Sequence, residues 1–192
     1  VETVEFSHVT FSYPKAEKPV LRDVSFSIHK GEKISIVGVN GAGKSTLVKL
    51  ICRMYHVGSG EIKINGKNIY DYDYMSYMKA ISAVFQDYRL FNFTIAENIS
   101  CRQTDADMAK IHRLVDEVGL RDKIDSLKDG VQSRFGKEYD ENGIEMSGGE
   151  GQKVAIARAL YKEASMVILD EPASALDPIA EAEIYEKFNR LV

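Results

Sequence analysis

Cysteine is scarce: Cys52 and Cys101 are the two in 192 residues. Their separation matches neither a metal-ligand pair nor a disulfide framework. Cys52 lies inside an apolar pattern and is expected as a small core residue. A reducing compartment, the cytoplasm, suits this usage. No apolar run is long enough to span a bilayer. There is no excess of positive charge either: 25 Lys and Arg face 29 Asp and Glu, a net charge of −4. A nucleic-acid binder usually carries a basic stripe, so no nucleic-acid partner is expected. The opening Val1-Glu2-Thr3-Val4-Glu5 is no signal peptide and has no initiator Met, so an excised piece of a longer protein is expected. Internal repeats and low-complexity linkers are missing, and the length allows one large domain or two small ones.

What is present starts with Gly38-Val39-Asn40-Gly41-Ala42-Gly43-Lys44-Ser45-Thr46. It reads G-x-x-x-x-G-K-S, the phosphate-binding P-loop pattern. Glycine lets the backbone turn tightly and bring its N–H groups to phosphate oxygens. Lys44 is a point charge that can reach the β- and γ-phosphates, and the Ser45 hydroxyl can bind Mg²⁺. Residues 33–37, Lys-Ile-Ser-Ile-Val, read as a buried strand before the loop, and Ser45 to Arg53 as a helix after it. A helix starting there points its positive dipole end at the anion.

The rest of the chain reads as strands flanking a helical middle. Val4 to Val9 with Thr10 to Tyr13, and Val20 to Ile28, alternate apolar and polar as half-buried strands do. Glu61 to Ile64, Asn65-Gly66 and Lys67 to Ile69 form a hairpin signal. Ile81 to Phe85 is a buried strand, Thr94 to Asp125 is helical in period, Ser147 to Tyr161 is a long helix, and Ala180 to Leu191 is a last one. The order predicts an α/β nucleotide-binding core with a helical insertion.

Two further clusters carry chemistry. Met166 to Leu169 is an apolar strand running into Asp170 and Glu171. A carboxylate at the C-terminal end of a buried strand sits where ligands bind in α/β sheets. Asp170 can hold Mg²⁺ directly or through water, and Glu171 suits a base that polarises an attacking water. Taken alone, the pair also reads as two acids meeting solvent. Ser147-Gly148-Gly149-Glu150 opens the long helix as S-x-x-E, a capping box. Two glycines weaken a helix start yet leave an open, anion-accepting end.

In this order, GVNGAGKST, VFQD, MSGGEGQKVAIARAL, MVILDEP and SALD resemble the nucleotide-binding domain of an ABC transporter from about residue 2 to the end. Phe85 to Phe91 with Thr94 to Ile99, and Tyr139 to Gly143, are similar to bacterial exporters. The resemblance implies a P-loop NTPase (RecA-like) core with an antiparallel β subdomain and a helical insertion subdomain. One ATP-binding cassette would fill 1–192, incomplete at its C-terminus, with 1–86 plus 161–192 as the core and 87–160 as the helical signature subdomain. It implies ATP and Mg²⁺ as cofactors. ATP would be bound by Tyr13, stacking on adenine, by Gly38, Asn40, Gly41, Ala42, Gly43, Lys44, Ser45 and Thr46, and across a dimer by Ser147, Gly148, Gly149 and Asp177. Lys44, Gln86 and Glu171 would be catalytic, and Ser45, Gln86 and Asp170 would serve the metal. The implied partners are a second nucleotide-binding domain, the same or different, and the transmembrane domains of one transporter. The implied place is the cytoplasmic face of the cell membrane, and the implied activity is ATP hydrolysis driving export.

The sequence departs from the family at four places. Met146 stands for the usual Leu, Glu150 for Gln, and Ala173 for a frequent Thr. Glu150 is expected to turn back and cap its own helix. The histidine that the family places after the last helix is absent, since the four here are His8, His29, His56 and His112, so weak turnover is expected. Two other readings are a soluble ABC-type ATPase acting on DNA or ribosomes, and a nucleotide-binding module without turnover. A small-GTPase reading fails for want of N-K-x-D.

Overall fold

Buried side chains in the first strand fall at Val4, Phe6, Val9 and Phe11, a run that changes parity midway. The structure, a computed structural model, describes residues 1–39, 41–137 and 143–171. Within β1 (Thr3–Phe11), His8 adopts a left-handed φ of 50°, and the register against the next strand shifts between Phe6 and Val9. This bulge inserts one residue, so all four apolar side chains reach one face although simple alternation would split them.

β1 pairs antiparallel with β2 (Leu21–His29) on one side and β3 (Ser59–Ile64) on the other, and β3 pairs with β4 (Lys67–Asn68). The sheet order is β2-β1-β3-β4. The hairpin turn is Asn65-Gly66, with φ of 52° and 74°, the two positive values that favour this pair. The Asn65 side chain also accepts from the Glu2 and Thr3 N–H groups, at 2.7 and 3.0 Å, which ties down the start of β1.

α1 (Lys44–Ile51) buries Thr46, Leu47, Val48, Leu50 and Ile51. Past its end, Arg53 holds a φ of 55° where glycine is common, with its N–H on Leu50 O and the Met54 N–H on Lys49 O. The Arg53 guanidinium lies 5.2–5.4 Å from the rings of Tyr70, Tyr74 and Tyr77 and donates to Tyr72 O. These attractions, of about 0.5–2 kcal/mol each, offset a backbone that an L residue enters at a cost. Tyr74 and Tyr77 lie on α2 (Tyr74–Ala80), capped by Asp73.

Contacts divide the chain into Val1–Ile81 and Ser82–Val192. The second unit holds β5 (Ile81–Val84) from its second residue on and β6 (Met166–Leu169), which pair as a two-stranded sheet. Between them come α3 (Ile95–Ser100), α4 (Met108–Glu117), α5 (Arg121–Asp125) and α6 (Gly148–Tyr161). The helical period over Thr94 to Asp125 is thus three helices. Their core is built on Ile95, Ile99, Ile111, Val115, Val154 and Ile156. Asn98, buried in α3, donates to Phe91 O and Thr94 O and accepts from Arg158 of α6. Each such buried polar group would be costly unpaired, and among the described residues no buried side-chain N or O lacks a partner.

One expectation is corrected. Residues 33–37 are not a strand and join neither sheet. Ile34 and Ile36 are about half exposed and Val37 is 88% exposed. A strand persists when neighbours accept its ladder bonds and cover its faces; neither sheet extends to this segment. The expected helix over Ala180 to Leu191 lies outside the described residues.

Candidate functional site

The P-loop turns into α1 through two residues with backbone that suits glycine. Gly41 has φ 81° and Gly43 has φ 95°. A Cβ on Gly43 would stand 2.7 Å from Leu21 Cδ2, so the end of that side chain would have to shift, and the φ itself strains any residue with a Cβ. Gly43 is the N-cap of α1, and no side chain caps that helix end. The first N–H groups of a helix have no intrahelical partner, and the first turn of α1 carries no acid to offset the dipole. The Lys44 ammonium donates to the carbonyls of Gly38 at 2.8 Å and Val39 at 3.3 Å. It bridges the loop it belongs to through two of that loop's carbonyl groups.

Tyr13 reaches the same helix. Its hydroxyl lies 3.1 Å from Thr46 Oγ1, and its ring meets Phe11 and Tyr55 edge-on, with centroids 5.0 and 5.2 Å away. The ring is half-buried. The bulge at His8 puts Phe11 on the buried face and thereby carries Tyr13 to α1. Ser45 and Thr46 lie in the first turn of α1, with Thr46 buried, and Gly38 and Ala42 precede it. Asn40 lies outside the described residues.

In the second unit, the strand ends meet. The Asp170 N–H donates to Val84 O at 2.8 Å, so the C-terminal ends of β5 and β6 are joined, and Asp170 is buried. Glu171 follows in a left-handed conformation, φ 49°, and is exposed. Gln86, just past β5, sits in a turn and is exposed. Asp177 lies outside the described residues.

Ser147 caps α6 as the sequence predicts. Its hydroxyl accepts from the Glu150 N–H at 3.3 Å, and the Glu150 carboxylate accepts from the Ser147 N–H at 2.8 Å. The expectation that Glu150 turns back on its own helix holds. Burial pushes the Glu150 carboxyl up, but the Ser147 donors and the Lys123 ammonium, 3.6 Å away, outweigh it and hold it below its ordinary value. The Tyr88 hydroxyl donates to Gly148 O at 2.6 Å, and burial raises it above the ordinary tyrosine value. A Cβ on Gly151 would stand 2.8 Å from that oxygen. The turn after β5 is therefore fastened to the N-terminus of α6. Phe85, Asp87, Tyr88, Phe91 and Arg158 line a cleft beside it.

The sequence matches the ABC transporter family over residues 21–174. The chain belongs to the ABC transporter family. Its ATP-binding domain is similar to the subtilin transport ATP-binding protein SpaT of Bacillus subtilis, 44% identical over 194 residues that cover 98% of this chain and 31% of that protein. The ATP-dependent lipid A-core flippase of Burkholderia orbicola is 39% identical over 189 residues, 98% of this chain and 31% of that protein. Among solved structures, a bacterial Atm1-family ABC exporter with ATP bound aligns with a TM-score of 0.89 at 35% identity, over 98% of this chain and 32% of that one. The chain spans about a third of the length of these proteins. No helix among the described residues is long and apolar enough to cross a membrane.

Two residues of the ABC domain escaped the sequence reading. Arg53 was legible only as the end of a helix, although a non-glycine at that left-handed position signals a side chain with other work to do. Gln152 is completely buried on α6 and donates to Glu171 O at 3.4 Å. A polar residue within the apolar run of that helix was the available signal.

Proposed function

We propose that this domain binds ATP with Mg²⁺ and hydrolyses it to power export across a membrane, working head to tail with a second nucleotide-binding domain and joined to transmembrane domains. The observation that carries the reading is the uncapped α1 N-terminus on Gly43 with Lys44 seated over the loop. Lys44 and the backbone N–H groups bind the phosphates, and Tyr13, beside Thr46, supports the base. Ser147, Gly148 and Gly149 of α6, with Asp177, serve the nucleotide of the opposite domain. Glu171 orients the attacking water and Gln86 joins the metal and that water to the membrane contact. Catalysis of this type is mainly positioning and charge stabilisation.

The donors fit Mg²⁺. The Ser45 hydroxyl, the Asp170 carboxylate and the Gln86 amide oxygen are hard oxygens, and no group of three or more His, Cys, Asp or Glu among the described residues could cage a metal. Mg²⁺ usually keeps waters and takes substrate phosphates as ligands, so a few protein oxygens suffice. When bound it neutralises charge on the transferring phosphoryl group.

The cleft by Phe85, Tyr88 and Phe91 supports a contact with the transmembrane part, since Tyr88 ties it to the first turn of α6. Through such a contact we propose that the domain works at the cytoplasmic face of the membrane. We group 1–86 with 161–192 as the nucleotide-binding core and 87–160 as the signature subdomain. The named relatives are transport proteins, which favours export over action on DNA or ribosomes.

Steady-state Mg·ATP hydrolysis against protein concentration, with nucleotide binding measured alongside, tests the proposal on the chain and on Glu171→Gln. A rate that rises faster than linearly and disappears in Glu171→Gln is expected. Tight ATP binding with no turnover in the full-length protein would overturn the catalytic reading.

A further inference from the structure

Glu171 stands at a bend that something must hold. Its φ of 49° is a left-handed conformation that residues with a Cβ seldom adopt unless their surroundings impose it. On the N-terminal side the surroundings are visible: the Asp170 N–H is bound to Val84 O at 2.8 Å, so the chain enters Glu171 from a fixed strand end. On the C-terminal side the Glu171 carbonyl accepts from Gln152 Nε2 at 3.4 Å. Gln152 has no exposed surface, and it lies on α6 beside Val154, Ala155 and Ile156 of the helical core. A fully buried side-chain amide has its rotamer held by packing on all sides.

The same helix begins at Ser147, so one rigid element presents the capping serine at its tip and Gln152 on its buried side. Resting on the reading of Glu171 as the group that orients water, we infer that Gln152 is a positioning residue for Glu171. By holding the Glu171 carbonyl it fixes the left-handed turn, and that turn sets the direction in which the carboxylate leaves the strand. Gln152 touches no substrate; its effect passes through the backbone of one residue.

The test is a double-mutant cycle in the full-length protein. Gln152→Met keeps the volume and removes the donor. Turnover, ATP affinity and melting temperature are measured in the natural protein, in Gln152→Met, in Glu171→Gln and in the double variant, with residual hydrolysis followed by single turnover of labelled ATP. Gln152→Met is expected to lower kcat on the order of tenfold or more, as misplacement of a reacting group does, with ATP affinity within about twofold. In the Glu171→Gln background the same change is expected to alter residual hydrolysis by less than about twofold, because the group it positions is gone. An equal fold-loss in both backgrounds, or an unchanged kcat, overturns the positioning role. Turnover indifferent to Glu171→Gln overturns the reading of Glu171, and the positioning role with it. Should Gln152→Met fail to fold, Gln152→Glu runs through the same cycle, since it keeps the shape and sets an oxygen against the Glu171 carbonyl.

Discussion

Two helices of this domain begin at glycine-rich sequence, and they end their N-termini in opposite ways. α1 starts from Gly43 with no side-chain cap and no acid in its first turn. α6 starts from Ser147 in a complete capping box, with Glu150 in its first turn. The first arrangement leaves a positive dipole end with neither a side-chain cap nor an acid to offset it; the second satisfies part of its own end and adds a negative charge. The α6 end nevertheless keeps one capacity. The Ser147 hydroxyl accepts from Glu150, and a hydroxyl that accepts can still donate to an oxygen beyond it. Under the function proposed above, the uncapped end would meet the phosphates of the domain's own nucleotide, and the capped one a phosphate of the second domain.

The contrast can be broken most sharply at Gly43. Gly43→Ala places a methyl group 2.7 Å from Leu21 Cδ2 at a φ of 95°. The expected cost is roughly 1–3 kcal/mol of stability, with loss of ATP binding, read by thermal denaturation and by titration with a fluorescent ATP analogue. Near-natural affinity would show that α1 does not need its open end.

Ser147→Ala removes the cap of α6. About 1 kcal/mol of stability should be lost, and ATP turnover should fall while nucleotide affinity of the isolated domain stays within about twofold. A stability loss with unchanged turnover would reduce Ser147 to a cap.

Glu150→Gln sharpens the comparison through charge. It can keep both capping hydrogen bonds while losing the ion pair with Lys123, so ATP turnover should change by less than about twofold; a strong rise would show that the carboxylate repels phosphate. The sign of the pH effect follows from the lowered Glu150 carboxyl. A carboxyl held below its unfolded value stabilises the fold above that value and loses this as pH falls through the folded one. The melting advantage of the natural protein over Glu150→Gln should therefore be present near neutrality and fade below about pH 4.5, its ordinary value.

The smallest effect is expected from Lys123→Ala. Its ammonium is 3.6 Å from Glu150, and both side chains are about 30% exposed. Partly exposed pairs of this kind contribute a few tenths of a kcal/mol, so the melting temperature should barely move and high salt should erase the difference.

The candidate site was legible wherever its chemistry is local. The Ser147–Glu150 box and the Asn65-Gly66 turn each depend on close neighbours in the chain, and each appears as read; so does the helix after the glycine-rich motif, as α1. The strand over 33–37 was not, because its apolar pattern states only that it could be buried. The parity change in β1 was also missed: His8 looks like one more polar position until the register shift shows that it is an inserted residue.

By itself, then, the amino-acid sequence determined the turns, the helix caps and the start of α1, for the physical reason that short-range sterics and hydrogen bonds decide them. It also determined the family, through the order of those motifs. The tertiary structure alone decided that Tyr13 meets Thr46, 33 residues on, that Gln152 holds Glu171, 19 residues on, and that 33–37 stays out of both sheets. These depend on which distant groups arrive within hydrogen-bonding or packing range, and a pattern of residue types does not contain that distance.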